Sequence, residues 1–567
     1  MADGMNFNSA VVDEALGNRM PGGAAGPGKP RLLVQSADPN VTVANVRDRL
    51  AAAGRLYDRG TPVRLVRDAM TGGMVARAVS AEGIVCEAHE ACRPYRRTMK
   101  DGAASEADTM FPRQLASMYL DLGDWGLPPL NGIANAPLLD DSGGVRMHDG
   151  YDPATGLWCE ALPDGLAAGV PTQPTRADAA GALLTIRRLL RTFPFADAVM
   201  VRVPGLDVPV VDLDAQPGAD ESAALAGLLT AVCRASLNLA PALLVRAAPL
   251  SGAGSGKGKL VRVWCAVAFG RAPAAVTGGN TVKELDLRIG AELMQGGPVL
   301  FLDNLNGMSL RSDTLASAIT ERPARVRVLG RSDMVRLNPS ALIVLTGNGL
   351  TVGEDLARRF LTIELDARME DPEARRFPGD VVAEAFANRP ALLAAALTVW
   401  RWGRHQEAAG KLAEGQALGS FDDWCRWVRD PLMALGCADP ASRVREAKQR
   451  DRKREAMVEL FTTWHATYGS APVTAATLTD AVERILDPQG RGRQYVVGAL
   501  GKLHSTRAGG FVMTVQPPAG KWGASTYAVH PADQAPAVSL MPPMDADDPE
   551  TAAGRGRTEA ERWKGEL

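Results

Sequence analysis

The residues best placed to do chemistry form a glycine-rich stretch with two lysines. It reads SGAGSGKGK from Ser251 to Lys259, after the apolar run ALLVRAAP and before the helical pattern VRVWCAVAFG. Glycines let backbone N–H groups turn toward phosphate oxygens, and a helix N-terminus adds its positive dipole. A lysine here neutralises the β- and γ-phosphates of a nucleotide. The pattern predicts an ATP-binding phosphate loop formed by Gly252, Gly254, Ser255, Gly256, Lys257 and Gly258.

This loop departs from the usual pattern GxxxxGK followed by Ser or Thr. Gly258 stands where a hydroxyl would bind Mg²⁺, and Ser251 stands where the first glycine is expected. A second register, with Gly258 and Lys259 as the Gly-Lys pair, is followed by Leu260. We favour the register centred on Lys257. The alternative is that the stretch is a flexible connector.

Three further polar positions follow the loop along the chain. The run PVLFLDN ends in Asp303, which predicts a Mg²⁺ ligand, and Asn304 comes next where an acid often serves as general base. The run ALIVLTGN ends in Asn348, which would orient the attacking water, and EDLARRF supplies Arg358 and Arg359. Each position alone is also typical of a capped strand end or a solvated helix face. Together, in this order, they predict a site for ATP hydrolysis.

A basic segment, ARVRVLGRSDMVRLNPS, lies between the runs PVLFLDN and ALIVLTGN. Its valines alternate with arginines as far as Arg327, GRSD has turn chemistry, and MVRL follows. The pattern predicts a β-hairpin with Arg331 at its tip, and positive charge of this kind can hold a single strand of DNA by its phosphates. The alternative is a surface hairpin with solvated arginines.

The elements that position these residues follow from the alternation of helical segments with short apolar runs. ALLVRAAP, AAVTGG, PVLFLDN, ALIVLTGN and FLTIELD read as continuous apolar strands. Such strands between helices indicate an α/β core in which a buried parallel sheet is covered on both faces. The carboxyl ends of its strands would carry the phosphate loop, Asp303 and Asn348.

From about Arg113 to Phe377 the chain resembles AAA+ ATPases of the D5-like, superfamily 3-like group, the primase–helicases of bacterial phages, plasmids and integrative elements. The strings that carry the resemblance are LPPLNGIANAPLL, GYDPATGL, GAGSGKGKL, VKELDLRIGAELMQGGPVLFLDN, RVRVLGRSDM, LTGNGL and EDLARRF. The resemblance implies self-association into a ring, as a hexamer, with Arg358 or Arg359 reaching a neighbour's nucleotide. It also implies that Arg331 enters the central channel. We find no persuasive primase domain.

The predicted organisation is an AAA+ P-loop NTPase core with a parallel sheet, preceded by an α+β domain and followed by a helical and winged-helix-like part. Three helices and then two strands near the C-terminus favour the winged helix. Both ends of the chain are rich in Pro, Gly, Ala or charge, which predicts disorder. The predicted divisions are residues 1–30 disordered, 31–176 accessory α+β domain, 177–405 ATPase core, 406–450 helical lid or connector, 451–530 winged-helix-like domain and 531–567 disordered tail.

The charge and the cysteines of the chain bear on whether it binds nucleic acid and in which cellular compartment it is expected. The chain of 567 residues has 63 basic and 65 acidic side chains, so its total charge of −2 gives no sign of a nucleic-acid binder. The basic run from Arg443 to Arg454 would either touch DNA or form a solvated helix face. Seven scattered cysteines predict reduced thiols. No apolar run reaches the roughly 18 residues of a membrane span, and no leader is evident, so we expect a cytoplasmic protein.

Two functions from different classes fit these observations. The first is an ATP- and Mg²⁺-dependent DNA helicase or translocase that acts on single-stranded or forked DNA, with replication partners, for a phage or mobile element. The second is a regulatory AAA+ protein that uses ATP as a switch and does not unwind DNA. Asn304 and Gly258 favour the second, because both weaken the usual hydrolysis machinery. A primase–helicase with a reduced primase is a third possibility.

Overall fold

The computed structural model describes residues 29–35, 37–100, 103–247, 254–278, 281–307, 309–327, 334–369, 371–444, 452–518 and 523–533. The chain forms two compact units, which divide between Glu446 and Ala447. The segments 1–28 and 534–567, where disorder is predicted, lie outside the described residues. Within the described ranges, no helix combines the length and the apolarity needed to cross a lipid bilayer.

The first part of the first unit is a small α+β region with its own apolar core around Val46, Ile84 and Tyr119. The amphipathic sequence VTVANVRDRLAAAGRLYDR predicts one helix that runs on through LYD, and this extension is wrong. The helix ends before Gly54, whose left-handed φ of 64° stops it, and LYD forms a strand. The elements are β1 (Arg31–Leu33), α1 (Pro39–Ala53), β2 (Leu56–Asp58), β3 (Pro62–Arg67), β4 (Met74–Ala78), α2 (Ala81–Ala91), β5 (Arg93–Lys100), β6 (Ala103–Asp108) and α3 (Arg113–Leu120).

Short strands then connect this region to the core. The turn residues Asp152, Pro153 and Gly156 of HDGYDPATGLWCEA predict a β-hairpin, and this prediction is confirmed. Its two strands pair antiparallel from Gly150 opposite Cys159. The hydroxyl of Thr155 donates to the carboxylate of Asp152 at 2.7 Å, which fixes the turn. The strands are β7 (Gly132–Ala134), β8 (Leu138–Leu139), β9 (Val145–Arg146), β10 (Gly150–Asp152) and β11 (Leu157–Cys159).

The core of the unit is a five-stranded sheet, and all five predicted apolar runs are confirmed as its strands. Every neighbouring pair is parallel, and the strands lie in the order Ala275–Thr277, Val299–Asp303, Leu342–Asn348, Ala242–Ala247 and Phe360–Leu365. This is a mixed α/β architecture consistent with a P-loop NTPase core. The elements are α4 (Arg176–Leu190), β12 (Met200–Val201), β13 (Val210–Val211), α5 (Ala219–Cys233), β14 (Ala242–Ala247), α6 (Lys257–Phe269), β15 (Ala275–Thr277), α7 (Val282–Gln295), β16 (Val299–Asp303), β17 (Ser309–Leu310), α8 (Asp313–Thr320), β18 (Ala324–Arg327), β19 (Met334–Leu337), β20 (Leu342–Asn348), β21 (Thr351–Val352), α9 (Glu354–Ala357) and β22 (Phe360–Leu365).

The packing of two helices sets the position of the phosphate loop. Helix α5 is buried all round from Asp220 to Cys233, as expected of a helix inside a core. A Cβ atom built on Gly227 of α5 would lie 2.8 Å from the fully buried ring of Trp264 in α6. This glycine therefore lets α6 approach α5, and α6 begins at Lys257.

After the sheet the chain turns back over the core. A 3₁₀ turn at Pro372–Ala374 leads to a long helix whose buried face packs against α4. The elements are α10 (Val381–Ala387), α11 (Arg389–Ala408), α12 (Asp422–Trp424), a π-helical turn (Cys425–Arg429) and α13 (Asp430–Ala434).

The start of the predicted basic run takes a structural role. Arg443 donates from Nε and Nη2 to the two carboxylate oxygens of Asp220, at 2.7 and 2.5 Å, and its Nη1 lies 3.3 Å from Glu364. Neither a DNA contact nor a solvated helix face fits Arg443, because Asp220 is fully buried. The run continues through residues 445–451, which lie outside the described ranges.

The hairpin predicted before the strand that ends in Asn348 is confirmed by the antiparallel pairing of β18 with β19. Val326 lies opposite Val335 on the inner face, and Arg325 lies opposite Arg336 on the exposed face. Residues 328–333, including the predicted tip residue Arg331, lie outside the described residues.

The second unit has its own core around Trp464, Leu500 and Val529. The predicted order of helices followed by a β-hairpin is confirmed. All pairings of its sheet are antiparallel, and the strands lie in the order Val473–Thr474, Thr526–Pro531, Phe511–Gln516 and Arg507–Ala508. The elements are α14 (Arg452–Tyr468), β23 (Val473–Thr474), α15 (Asp480–Leu486), α16 (Arg493–Gly501), β24 (Arg507–Ala508), β25 (Phe511–Gln516) and β26 (Thr526–Pro531).

Candidate functional site

A cavity of about 770 Å³ opens at the carboxyl edge of the parallel sheet, between the β14–α6 loop and the end of β16. Because parallel strands end at the same edge, this is where ligands bind in open α/β sheets. The cavity brings together most of the predicted binding residues, namely Gly254, Ser255, Gly256, Lys257, Gly258 and Asp303. Gly252 lies outside the described residues.

The side chains that line the cavity favour an anionic ligand. Six are basic and three are acidic. Among them, the sequence singles out Lys257 and Asp303, with Lys259 as the lysine of the alternative register. The basic residues are Arg188, Arg191, Lys257, Lys259, Arg262 and Arg375, and the acidic residues are Asp303, Glu373 and Glu384.

Lys257 lies at the first turn of α6, where the helix dipole is also positive. Its Nζ donates to the hydroxyl of Ser255 at 3.2 Å. Burial lowers the pKa of Lys257, and the nearby charge of Asp303 opposes that shift. A phosphate group would replace the weak hydroxyl contact with a charged partner and restore the usual pKa.

Asp303 is held in place by a residue that the sequence did not single out. The hydroxyl of Thr346, on the neighbouring strand β20, donates to Oδ1 of Asp303 and accepts from the backbone N–H of Asn304 at 3.1 Å. This hydrogen bond engages one of the two carboxylate oxygens of Asp303. The visible signal was a threonine inside the otherwise apolar strand LIVLTGN.

The residues present fit a Mg²⁺ ion that arrives with a nucleotide. Within the described part of the chain, no three His, Cys, Asp or Glu side chains cluster to form a metal cage. Mg²⁺ commonly binds proteins through one or two carboxylates and completes its shell with substrate phosphates and water. Asp303 beside Lys257 matches that pattern of donors.

The loop after Asp303 is tied to β20 and offers no acid. Asn304 has a left-handed φ of 63°, a conformation that asparagine tolerates better than most residues. Asn306 accepts through Oδ1 from the backbone N–H of Asn348 at 2.7 Å. Two carboxylates from elsewhere, Glu373 and Glu384, line the same cavity. They are the candidates for the general base that the sequence left unassigned.

Asn348 lies at the carboxyl end of β20, opposite Ala247 of β14. It is not among the residues that line the cavity, although Thr346, on the same face of the strand, is. The side-chain oxygen of Asn348 is buried and has no hydrogen-bond partner in the described ranges. A buried acceptor of this kind normally has a partner such as water.

Arg358 and Arg359 lie at the opposite edge of the sheet. The carbonyl of Arg359 accepts from the N–H of Ala242, at the amino end of β14. Strand β22 then runs to Leu365, opposite Ala247 at the carboxyl end. At the usual rise per residue, these arginines are roughly 17 Å from the phosphate loop along the sheet. They do not join the cavity of their own chain, and their role toward a neighbour stays a prediction.

The segment that follows β22 packs on the phosphate loop. Nη2 of Arg375 donates to the carbonyl of Gly254 at 3.0 Å. A Cβ atom on Gly254 would lie 2.4 Å from Cγ of Glu373, and the φ of this glycine is 86°. The ring of Phe377 is exposed, with Nζ of Lys259 at 5.8 Å from its centre. Sequence reasoning missed these contacts because they depend on how the chain returns after the sheet.

We expect Thr346→Val to lower the rate of ATP hydrolysis by about 10-fold or more, because partners that orient a metal-binding carboxylate commonly contribute 10- to 100-fold. The valine has the same shape but cannot donate to Asp303. The matched control is Thr346→Ser, which keeps the hydroxyl and should remain close to the wild-type rate. Steady-state hydrolysis at saturating Mg²⁺ measures both. Equal rates for the valine and serine variants would show that this hydrogen bond does not matter.

Comparisons with known proteins give only distant likenesses. No family model matches the chain, and no curated protein matches it. Among solved structures, the apo C-terminal region of NrS-1 is 12% identical, with 85% of this chain and 98% of that one covered at a TM-score of 0.34. The active helicase Cch of SCCmec type IV is 11% identical, with 83% and 93% covered at 0.28. A JCV helicase is 11% identical, with 50% and 64% covered at 0.20. Because these TM-scores are below 0.5, the function must be argued from the residues of this chain.

Proposed function

We propose that this protein is an AAA+ ATPase that drives a helicase or translocase on DNA, in the replication of a phage or mobile element. One observation carries the proposal. Lys257 follows β14 and Asp303 ends β16, and both line one cavity although another strand, β20, separates β14 from β16. A phosphate-binding lysine and a metal-binding carboxylate in that relation are the two parts that ATP hydrolysis requires.

Each residue then has a defined task. The backbone of the loop from Gly254 to Gly258 and the charge of Lys257 bind the phosphates, and Asp303 holds Mg²⁺, which would neutralise charge on the phosphate oxygens. Asn348, which ends β20 outside the cavity lining, is proposed to orient the attacking water. Glu373 or Glu384, both of which line the cavity, is proposed to accept the proton of that water.

Assembly into a ring, as a hexamer, would complete the site. Arg358 and Arg359 lie at the edge of the sheet away from their own cavity, as a residue that serves a neighbouring subunit must. In such a ring, one of them stabilises the charge that develops on the γ-phosphate of the neighbour.

DNA is the proposed polymer substrate because of the β18–β19 hairpin. Its exposed face carries Arg325, Arg327 and Arg336, and none of them forms an ion pair with another described residue. Like charges directly opposite each other, as Arg325 and Arg336 are, destabilise a hairpin. A phosphate backbone supplies the missing negative charge, and Arg331 extends the same basic segment.

The second unit is proposed to be a winged helix that contacts duplex DNA or a replication partner. Helix α16 precedes the β-hairpin, and its first turn is basic and exposed at Arg493. The neighbouring Arg491 lies 3.5 Å above the ring of Tyr495. A short basic helix that presents an arginine is a common way to reach a DNA groove.

The test of the DNA assignment is steady-state ATP hydrolysis with and without single-stranded DNA. We expect DNA to accelerate hydrolysis in the wild type, and Arg327→Ala and Arg331→Ala to lose acceleration while they keep the basal rate. Each phosphate contact removed should lower the slope of log affinity against log salt by about 0.7.

The control variant for this test lies outside the β18–β19 hairpin. Arg113→Ala removes an exposed arginine that pairs with Glu82, outside the hairpin, and should behave as the wild type. If DNA stimulates ATP hydrolysis as strongly in the hairpin variants as in the Arg113 variant, the hairpin does not bind the DNA.

The second candidate function is an ATP switch without unwinding. It is favoured by Asn304, which places no acid beside Asp303, and by Gly258, which places no hydroxyl at the start of α6. Such a protein would bind ATP tightly and hydrolyse it slowly, with or without DNA.

A further inference from the structure

The side-chain space of Gly258 is occupied by an arginine. A Cβ atom built on Gly258 would lie 2.7 Å from Nη1 of Arg262 and 3.9 Å from Oδ1 of Asp303. Real Cβ atoms essentially never approach a heavy atom within 3.0 Å, so a side chain at 258 would require the guanidinium of Arg262 to move. Where a Ser or Thr hydroxyl would point toward Mg²⁺, this chain places the guanidinium of Arg262.

The helix geometry explains how Arg262 reaches that space. Gly258 and Arg262 are four residues apart on α6, so their side chains leave the same face of the helix. The residues of α6 on either side of it, Val261 and Val263, are buried in the core, whereas Arg262 is only partly buried and lines the cavity. The cavity is therefore the side of α6 to which this guanidinium is directed.

Arg262 forms no hydrogen bond or ion pair with another described residue. A guanidinium stays protonated at any physiological pH. Its planar fork can donate two parallel hydrogen bonds to phosphate oxygens, which a Mg²⁺-binding hydroxyl cannot do.

We propose that Arg262 binds the β- or γ-phosphate of ATP and takes over part of the work that a hydroxyl-held Mg²⁺ does at such sites. The inference rests on the proposed binding of ATP at Lys257. It follows that this site keeps substantial affinity for ATP without metal, because a protein cation already lies where metal charge is usually supplied. Mg²⁺, held by Asp303 and the phosphates, is then needed more for hydrolysis than for binding.

The test is equilibrium binding of a fluorescent ATP analogue to the full chain, in Mg²⁺ and in EDTA. We expect the wild type to bind in both, and Arg262→Ala to weaken binding in EDTA by about 10- to 100-fold, the usual effect of losing hydrogen bonds to a charged group. The loss in Mg²⁺ should be smaller. Lys283→Ala, which removes an exposed cation of α7, is the matched control and should bind as the wild type.

Two further variants keep the test decisive. Arg262→Lys retains the charge without the fork, so it should lie between the wild type and the alanine variant even if the latter folds poorly. Gly258→Ser should displace the guanidinium and make binding depend more strongly on Mg²⁺. Unchanged binding in EDTA by both Arg262 variants would overturn the inference alone. A wild type that binds no ATP in either buffer would overturn the proposed function as well.

Discussion

Lys257→Ala is expected to reduce ATP hydrolysis by about 100- to 1,000-fold, the usual effect of removing a group aimed at charge in a closed site. Among the described residues, Nζ of Lys257 is the only lysine nitrogen that donates a hydrogen bond to the hydroxyl of Ser255 in the loop. Steady-state hydrolysis of the purified variant, with its ATP affinity measured in parallel, gives the result.

Lys259→Ala is the matched comparison, because the sequence allows a second register in which Lys259 is the phosphate-binding residue. Helix α6 begins at Lys257, and Nζ of Lys259 lies 5.8 Å from the centre of the exposed Phe377 ring. We therefore expect the Lys259 variant to lose much less activity. The opposite ranking of the two variants would show that the register centred on Lys257 is wrong.

Arg443→Ala is expected to destabilise the first unit by about 3–5 kcal/mol, the cost of leaving a buried charge without its partner. Asp220 has no exposed surface and receives both hydrogen bonds of the Arg443 guanidinium. It also accepts from the backbone N–H of Glu364 on β22. Glu364 in turn pairs with Arg246 of β14, the strand that leads into the phosphate loop. The measurement is the free energy of unfolding in urea.

The titration of Asp220 determines whether the stability loss of Arg443→Ala grows or shrinks with pH. Burial raises the pKa of this carboxyl to about 6, although Arg443 opposes the shift. A carboxyl whose pKa is higher in the folded state than in the unfolded state favours folding more as the pH falls below the folded value. Without Arg443 the pKa of Asp220 in the folded state rises further. The loss of unfolding free energy in the Arg443→Ala variant should therefore be smaller at pH 5 than at pH 8.

The double variant Arg443→Ala with Asp220→Asn separates charge from packing. Asparagine is neutral and can still accept from the N–H of Glu364, so the double variant should recover a large part of the lost stability. If the double variant is as unstable as Arg443→Ala alone, the loss comes from packing and not from an uncompensated carboxylate.

The sequence predicted the sheet and the two central site residues because both leave local signals. Five short apolar runs between helical patterns identify buried parallel strands, and a glycine-rich turn before Lys257 and an acid at the end of β16 mark the binding edge. The order of strands is not local. Only the position of β20 beside β16 reveals that Thr346 reaches Asp303.

The other differences between prediction and structure also arise because the sequence pattern does not show which distant residues come into contact. Arg443 belongs to a run of charges that is typical of a solvated helix, yet its partner Asp220 lies more than two hundred residues earlier in the chain. Arg375 reaches the loop because the chain folds back after β22. The end of helix α1 depends on one glycine, Gly54, whose left-handed φ overrides the amphipathic pattern that continues beyond it.

The most direct measurement of the central claim is separation of the strands of a forked DNA duplex by the wild-type protein with ATP and Mg²⁺. A DNA motor driven from the Lys257 cavity releases the displaced strand with ATP, and releases none with a non-hydrolysable analogue or with the Lys257→Ala variant. If the wild type binds ATP and the fork but releases no strand, the motor account is contradicted and the protein acts as an ATP switch on DNA.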